Sequence, residues 1–358
     1  MDFIKKNFLN ILKAIKNFNF KFFLKLNLAI LKKNYSKYPT YVKEFEENLS
    51  KKFNSKYTLS FSSGTSAFYA SILSLNLKKK SKVLISSLTF PTIIEILKKQ
   101  DFDIYYFDVD KNLNVNSNFA INQKYDLLVI THAFGFYLDF NALKVFIDDD
   151  TKIIFDSSHS QGIKTEGINH VKFADISFMS LQGNKAISGG EGGVIFSDNK
   201  DLYLKMINNH HPGHIQNAQL KIAGGVNDLK LRMHPLAALI ANNDLKSFDK
   251  RNELLKKKIE QIYQYLSDLK IQHPLNKNSK IGGFHFGIPF FFKSKINLKF
   301  IKKYNWYDNL DSLNINSINQ IHDKSFFQEL SFLDLEWIKE NEILKIKKQL
   351  KKIFKNVY

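Results

Sequence analysis

The chain has 358 residues, 44% of them hydrophobic, and no cysteine. That length supports a large buried core and suggests one large domain plus a smaller one, while the missing cysteine removes disulfide frameworks, thiolate metal sites and cysteine nucleophiles and agrees with a reducing cytoplasm. The formal charge of +19 is almost entirely lysine, with Arg232 and Arg251 the only arginines; because base readers and phosphate clamps lean on arginine, nucleic acid is not expected as a partner.

From Phe3 to Lys43 there are ten lysines and no acidic residue, and Ile4, Phe8, Ile11, Leu12, Ile15, Phe18 and Phe22 recur at helical spacing. Residues 1–33 therefore read as a basic amphipathic helix whose stripe packs on the body of the protein, with a membrane-surface role as the second reading. No apolar run reaches the roughly 18–20 residues that span a bilayer, and the first residues lack the compact apolar segment of a secretion signal. A soluble or peripheral, cytoplasmic protein is the expectation.

Residues 34–245 read as a large α/β domain. "YVKEFEENLSKKF" puts Val42, Phe45, Leu49 and Phe53 on one helix face. A strand, Tyr57 to Phe61, then breaks at Ser62-Ser63-Gly64-Thr65 into a second helix. The unit recurs in kind: "KVLISSLTFPTIIEILKKQ", "DIYYFDVD", "YDLLVITHAFG", "TKIIFDSSHSQG" and "DISFMSL" are short β-rich runs, most with helical patterns between them. Such alternation builds a largely parallel sheet whose ligands bind at the strand ends. After Asn209 the chain becomes a loop and then a long helix through "FDKRNELLKKKIEQIYQYLSDL". Residues 246–358, with "FHFGIPFFF" as a strand and a lysine-rich final helix, read as a small α+β domain that includes this linking helix.

Taken singly, the polar residues at the strand ends are weak signals. Gly64-Thr65-Ser66 opens a helix, where free N–H groups and hydroxyls converge on an anion, although such residues are more often plain caps. Asp156 ends the apolar run "KIIF" and can hold a protonated ring nitrogen or cap the next helix; His159, three residues on, lies beside the same ligand or is a core histidine. Lys185 stands between a strand and the knot Gly189, Gly190, Gly192 and Gly193, which permits close backbone approach and a sharp return into "VIFS". A lysine that forms a Schiff base must lose its proton easily, and partial burial promotes that. In combination the signal sharpens: a phosphate cradle, an aromatic at Phe90, an aspartate and a glycine-guarded lysine, in that order, are the parts that pyridoxal phosphate requires.

The segments "FEENLSKKF", "SSGTSAFYASIL", "SSLTFPT", "FDSSHSQG", "SFMSLQGNKAISGGEGGVIFSD" and "LRMHPLAALIANNDL" make the chain, from about Asn34 to Arg251, resemble the DegT/DnrJ/EryC1/StrS aminotransferases, which are fold-type I pyridoxal phosphate enzymes. The resemblance implies an α/β fold with a large mixed, mostly parallel sheet domain and a small C-terminal α+β domain. It also implies pyridoxal 5'-phosphate as cofactor, a homodimer with shared active sites, and amino transfer from an amino acid, usually glutamate, to a nucleotide-linked keto-sugar in surface polysaccharide or related glycan synthesis. By the same resemblance Lys185 is the Schiff-base lysine, Asp156 partners the pyridine nitrogen, Phe90 lies against the ring and His159 near its phenolic oxygen. Gly64, Thr65 and Ser180 hold the phosphate, Gln182 aligns with the pattern without an assigned role, and either Asn227 or Lys230 reaches the neighbouring subunit's phosphate. Two other readings stand beside this one. A related sugar dehydratase branch carries histidine in place of the lysine, and a basic binding protein would have kept the fold and lost catalysis.

Overall fold

The computed structural model describes residues 20–32, 40–115, 123–139, 141–165, 167–210, 229–275, 281, 287–292, 301–303, 329–334, 338 and 341–355. Of the expected N-terminal stripe, Ile4 to Phe18 lie outside these residues. The helix α1 (Phe20–Leu31) buries Ala29 and half-buries Phe22 and Leu26, and Lys25 bridges to Glu44 at 3.1 Å; its other face leaves Phe20, Phe23, Leu24, Leu28 and Leu31 exposed. Among the described residues no helix is long and apolar enough to cross a membrane.

The body is built on seven strands, β1 (Tyr57–Phe61), β2 (Lys82–Ser86), β3 (Asp103–Phe107), β4 (Leu127–Thr131), β5 (Lys152–Asp156), β8 (Ile176–Ser180) and β9 (Gly193–Ser197), ordered β1-β9-β8-β5-β4-β2-β3. Six run the same way, and β9 alone is antiparallel to both neighbours, β8 and β1. Between β5 and β8 lies a two-stranded hairpin, β6 (Lys164–Thr165) with β7 (Ile168–Asn169). Central strands covered on both faces cannot alternate apolar with polar, which is why β4 reads "LLVIT" and is buried throughout.

One face of the sheet is covered by α3 (Gly64–Leu75), α4 (Pro91–Lys99) and α5 (Lys200–Asn208), whose Phe68, Ile72, Ile94, Leu97 and Met206 pack on Val83, Ile85, Val129 and Ile154. Toward the β1–β9–β8 end, α2 (Thr40–Phe53) and α6 (Pro235–Leu245) enclose Phe45, Leu49, Phe196 and Ala238. On the other face, α7 (Phe248–Asp268) joins Leu128, Ile130 and Phe155 to a core continuous with the three-stranded sheet of β10 (Ile288–Phe291), β11 (Ile301–Lys303) and β12 (Leu330–Leu333) and with α8 (Ile343–Lys355). The expected final helix is described from Ile343 on, and the strand expected in "FHFGIPFFF" is described as β10. The links from β4 to β5 and from β5 to β8 differ from the simple strand–helix alternation: they carry 3₁₀ turns, and the second also carries the β6–β7 hairpin.

Because six strands are parallel, their carboxyl ends share one edge of the sheet. Phe61, Ser86, Thr131, Asp156 and Ser180 finish there, and Gly193 starts β9 at the same edge, opposite both Ser180 and Phe61.

Candidate active site

At that edge lies a cleft of about 290 Å³, and Gly64, Thr65, Phe90, Asp156, His159, Ser180, Gln182 and Lys185 all line it. Eight residues spread over more than 120 positions of sequence thus meet in one place. Asn227 lies outside the described residues. Lys230 is exposed and does not line this cleft.

The cradle at the start of α3 is made by absence of side chains. Ser63 caps the helix, accepting from Ser66 N–H at 3.0 Å, and the first main-chain helical bond runs from Ala67 N–H to the Ser63 carbonyl. The amides of Gly64 and Thr65 therefore point out of the helix end, where the helix dipole favours an anion. A Cβ on Gly64 would stand 2.9 Å from Ser180 Cβ, and one on Gly193 would stand 2.1 Å from the Ser63 carbonyl oxygen. Only two glycines let α3 sit this close to β8 and β9, with the Ser63, Thr65 and Ser180 side chains around the opening.

Phe90 precedes Pro91 at the start of α4 and is 42% exposed, facing the cleft. Its neighbour Thr89 is fixed by a 2.8 Å hydroxyl contact with Thr131, the residue beside Asp156 across β4 and β5. Asp156 is 5% exposed and accepts from Ser158 N–H at 3.0 Å. Burial pushes its carboxyl pKa up, and the bonds from Ser158 and the charge of Lys185 pull it back. His159, also buried, has its ring 6.3 Å from that of Phe134.

Lys185 sits on the loop between β8 and β9. Leu181 N–H donates to the Gly192 carbonyl at 2.8 Å, Gly189 N–H to the Leu181 carbonyl at 2.9 Å, and Lys185 N–H to the Gln182 carbonyl at 2.9 Å. Gln182 thus closes the turn through its backbone while its exposed side chain borders the cleft. Burial lowers the Lys185 pKa to about 8, against the opposing pull of Asp156. An amine with that value is partly deprotonated near neutrality and can act as nucleophile or base.

Behind Asp156 lies a buried polar layer that carries no local mark in the sequence. His132 N–H donates to the Asp156 carbonyl at 3.0 Å, and its Nδ1 accepts from Leu138 N–H at 3.1 Å. The His170 ring lies 5.1 Å from that of His132 and pairs with Ser157 Oγ at 2.8 Å and the Ile163 carbonyl at 3.0 Å. Burial holds both imidazoles neutral, His170 down to about 4 and His132 well below its ordinary value. Polar residues of the cleft itself that were missed from sequence, among them Thr92, Thr131, Asn184 and Glu191, lie close to recognised ones. Thr131 had a usable signal, since "LLVIT" ends at the same edge as "KIIFD".

The model of the DegT/DnrJ/EryC1/StrS aminotransferase family matches residues 21–304. GDP-perosamine synthase of Escherichia coli O157:H7 is 26% identical over 168 residues, 46% of this chain and 46% of that protein. GDP-4-keto-6-deoxy-D-mannose 3-dehydratase of Yersinia pseudotuberculosis is 27% identical over 173 residues, 45% of this chain and 44% of that protein. The chain thus aligns with about half the length of these curated relatives. The crystal structure of an aminotransferase from Psychrobacter cryohalolentis superposes with a TM-score of 0.78 at 16% identity, covering 95% of this chain and 98% of the other, a likeness of fold.

Proposed function

Because the chain belongs to the DegT/DnrJ/EryC1/StrS aminotransferase family, we propose that it is a pyridoxal phosphate-dependent aminotransferase that moves an amino group from an amino acid, glutamate by preference, to a nucleotide-linked keto-sugar. The observation that carries this reading is the meeting of Gly64, Thr65, Phe90, Asp156, His159, Ser180 and Lys185 in one cleft. The residues fit the cofactor. The amides of Gly64 and Thr65, which precede the first main-chain helical bond of α3, lie at the cleft beside the Thr65 and Ser180 hydroxyls, and a buried carboxylate and a half-buried amine line the same cleft.

Bound there, pyridoxal phosphate supplies an electron-withdrawing ring that carries the amino group between donor and acceptor. The amides of Gly64 and Thr65 and the hydroxyls of Thr65 and Ser180 would hold its phosphate. Asp156, kept from water, would hold the proton on the ring nitrogen, and Phe90 would pack against the ring. His159 would face the ring's oxygen. Lys185, with its pKa lowered to about 8, would remove the proton at the donor's α-carbon and, in the second half-reaction, deliver one to the acceptor's carbon.

Two curated relatives named for GDP-linked sugars support the acceptor class. One of them is a dehydratase, and the presence of Lys185 favours amino transfer over loss of a hydroxyl. We place the enzyme in surface polysaccharide or related glycan synthesis in the cytoplasm, as a homodimer with composite sites. The exposed apolar residues of α1, beside Lys21 and Lys32, support peripheral attachment to an anionic membrane as a further partner. Salt-sensitive vesicle binding that is lost on deleting residues before Asn34 would test that attachment.

The test of the activity is a panel of keto-sugar nucleotides offered to the cofactor-loaded protein with glutamate, with products read by mass. A product carrying an amino group in place of the keto oxygen is expected. A product that has lost a hydroxyl assigns the dehydratase reaction, and a protein that takes up no pyridoxal phosphate overturns the reading.

A further inference from the structure

Three consecutive residues after Lys185 have their main chain held by polar side chains from three separate segments. The Ala186 carbonyl accepts from Arg251 Nη2 at 2.9 Å, Ile187 N–H donates to Gln161 Oε1 at 2.8 Å, and Ser188 N–H donates to Asp244 Oδ2 at 3.0 Å. Arg251, in the first turn of α7, also pairs with Asp244 Oδ2 at 2.9 Å and donates to the Asp244 carbonyl at 3.1 Å. Gln161, fully buried, donates through Nε2 to the Ser180 carbonyl at 2.8 Å, so its amide links the last residue of β8 to the loop beyond Lys185.

These ties are not needed to close the turn, which its own backbone bonds already close. Their purpose is set by the hollows on either side. Lys185 lines the cleft that holds Asp156, and it also borders a second cavity of about 380 Å³ lined by Ala186, Phe248, Arg251, Asn252, Leu255 and Lys258. The loop is a partition between the two, with Ile187 buried in the apolar core and the polar ties fixing the main chain on either side of it. Composition marks the same point. Of 53 basic residues only two are arginine, and one stands where three acceptors converge. The contacts converge on its Nη2, which the rigid guanidinium holds in a fixed position and a flexible lysine stem does not.

We propose that Arg251 and Asp244, together with Gln161, are positioning residues that aim Lys185 at the cleft, and that through Arg251 the aim of the lysine depends on the first turn of α7. This rests on the reading of Lys185 as the aminotransferase lysine. None of the three touches the reacting atoms; they act through the loop.

The test uses the full-length protein loaded with pyridoxal phosphate, as Arg251→Lys and Asp244→Asn variants. The readouts are the pH midpoint of the visible absorption band, borohydride fixation of cofactor at Lys185, melting temperature, and kcat and KM for glutamate. A positioning role predicts a midpoint displaced by about half a pH unit or more. It also predicts kcat lower by on the order of 10- to 100-fold, with KM changed by less than about threefold. Variants with lowered melting temperature but an unchanged band and kcat would show a structural role only and overturn the proposal, as would variants unchanged in every readout. Absence of fixation at Lys185 in the unaltered protein would instead overturn the reading of the site itself. Should Arg251→Lys fail to fold, Asp244→Asn carries the test.

Discussion

Gly193 lies directly against Ser63: a Cβ on the glycine would stand 2.1 Å from the serine's carbonyl oxygen and 2.7 Å from the Gly64 nitrogen. The contact joins the first residue of β9 to the cap of α3, and with it the lysine loop to the anion cradle. Gly193→Ala should force the two apart, with a stability loss of about 1–3 kcal/mol in chemical denaturation and a drop in cofactor affinity of roughly tenfold or more. Gly183→Ala is the control. Its nearest neighbour would be 3.8 Å away, so a change within about 0.5 kcal/mol is expected. Equal effects at both positions would refute the close-approach argument.

Lys185 should be reactive at a pH where other lysines are not. In the cofactor-free protein, acylation of Lys185 followed by peptide mass should rise through a midpoint near pH 8, the value set mainly by burial. Since the Asp156 charge raises that value, Asp156→Asn should move the midpoint lower. A midpoint at the ordinary lysine value of 10.5 would contradict the assignment.

Asp156→Asn serves a second measurement. The amide oxygen can still accept from Ser158 N–H, so the fold should persist, but a neutral amide cannot hold the ring nitrogen's proton. Both half-reactions should slow by on the order of 100-fold or more, about tenfold for each 1.4 kcal/mol added to the barrier. Single-turnover rates with glutamate within threefold of the unaltered enzyme would remove Asp156 from this role.

The buried histidines give the protein an acid limit. An unfolded histidine binds its proton near pH 6.5, whereas folded His170 does so only near 4 and burial holds His132 well below its ordinary value. Between those values the unfolded chain holds protons that the folded chain lacks. Stability therefore falls as pH drops from 6.5 toward 4, by about 1.4 kcal/mol per pH unit for each histidine. Denaturation curves across this range should show the slope, and His170→Gln should reduce it. An unchanged slope in that variant would rule out the mechanism.

If the sites are composite, mixing two inactive proteins should restore activity. Lys185→Ala subunits combined with subunits carrying Asn227→Ala and Lys230→Ala would form hybrids in which one of two sites is whole. A fully active second variant, or an active monomer at assay concentration, rejects the shared site.

What could be read from the chain and what could not divide along a physical line. Strands buried on both faces are short apolar runs, so "LLVIT" and "KIIFD" announced themselves, and the polar residue ending each run fell at the ligand edge. The insertion of β9 between β8 and β1 left no local mark, because its pairing with Tyr57–Phe61 joins segments about 135 residues apart. The same holds for Gln161, Asp244 and Arg251, whose partners on β8 and the lysine loop are 19 to 65 residues away in sequence. His132 and His170 looked like any other histidines until burial set them side by side. Lys230, expected to reach a neighbouring subunit's phosphate, is exposed and lies outside the cleft of its own subunit.

The antiparallel return of β9 also decides which parts of this protein are free to change length. Asp156 ends β5 and Lys185 follows the neighbouring β8, and the β6–β7 hairpin between those strands can grow with little penalty, each doubling of a flexible loop costing only about 0.6 kcal/mol. The twelve residues between Ser180 and Gly193 have no such latitude: their ends are paired with each other across the sheet, and Gly193 is wedged under Ser63. An added residue there would displace either the lysine or the register. Over evolutionary time, insertions should accumulate in the first segment and be purged from the second, which makes the second a fixed ruler between the amine and the anion cradle.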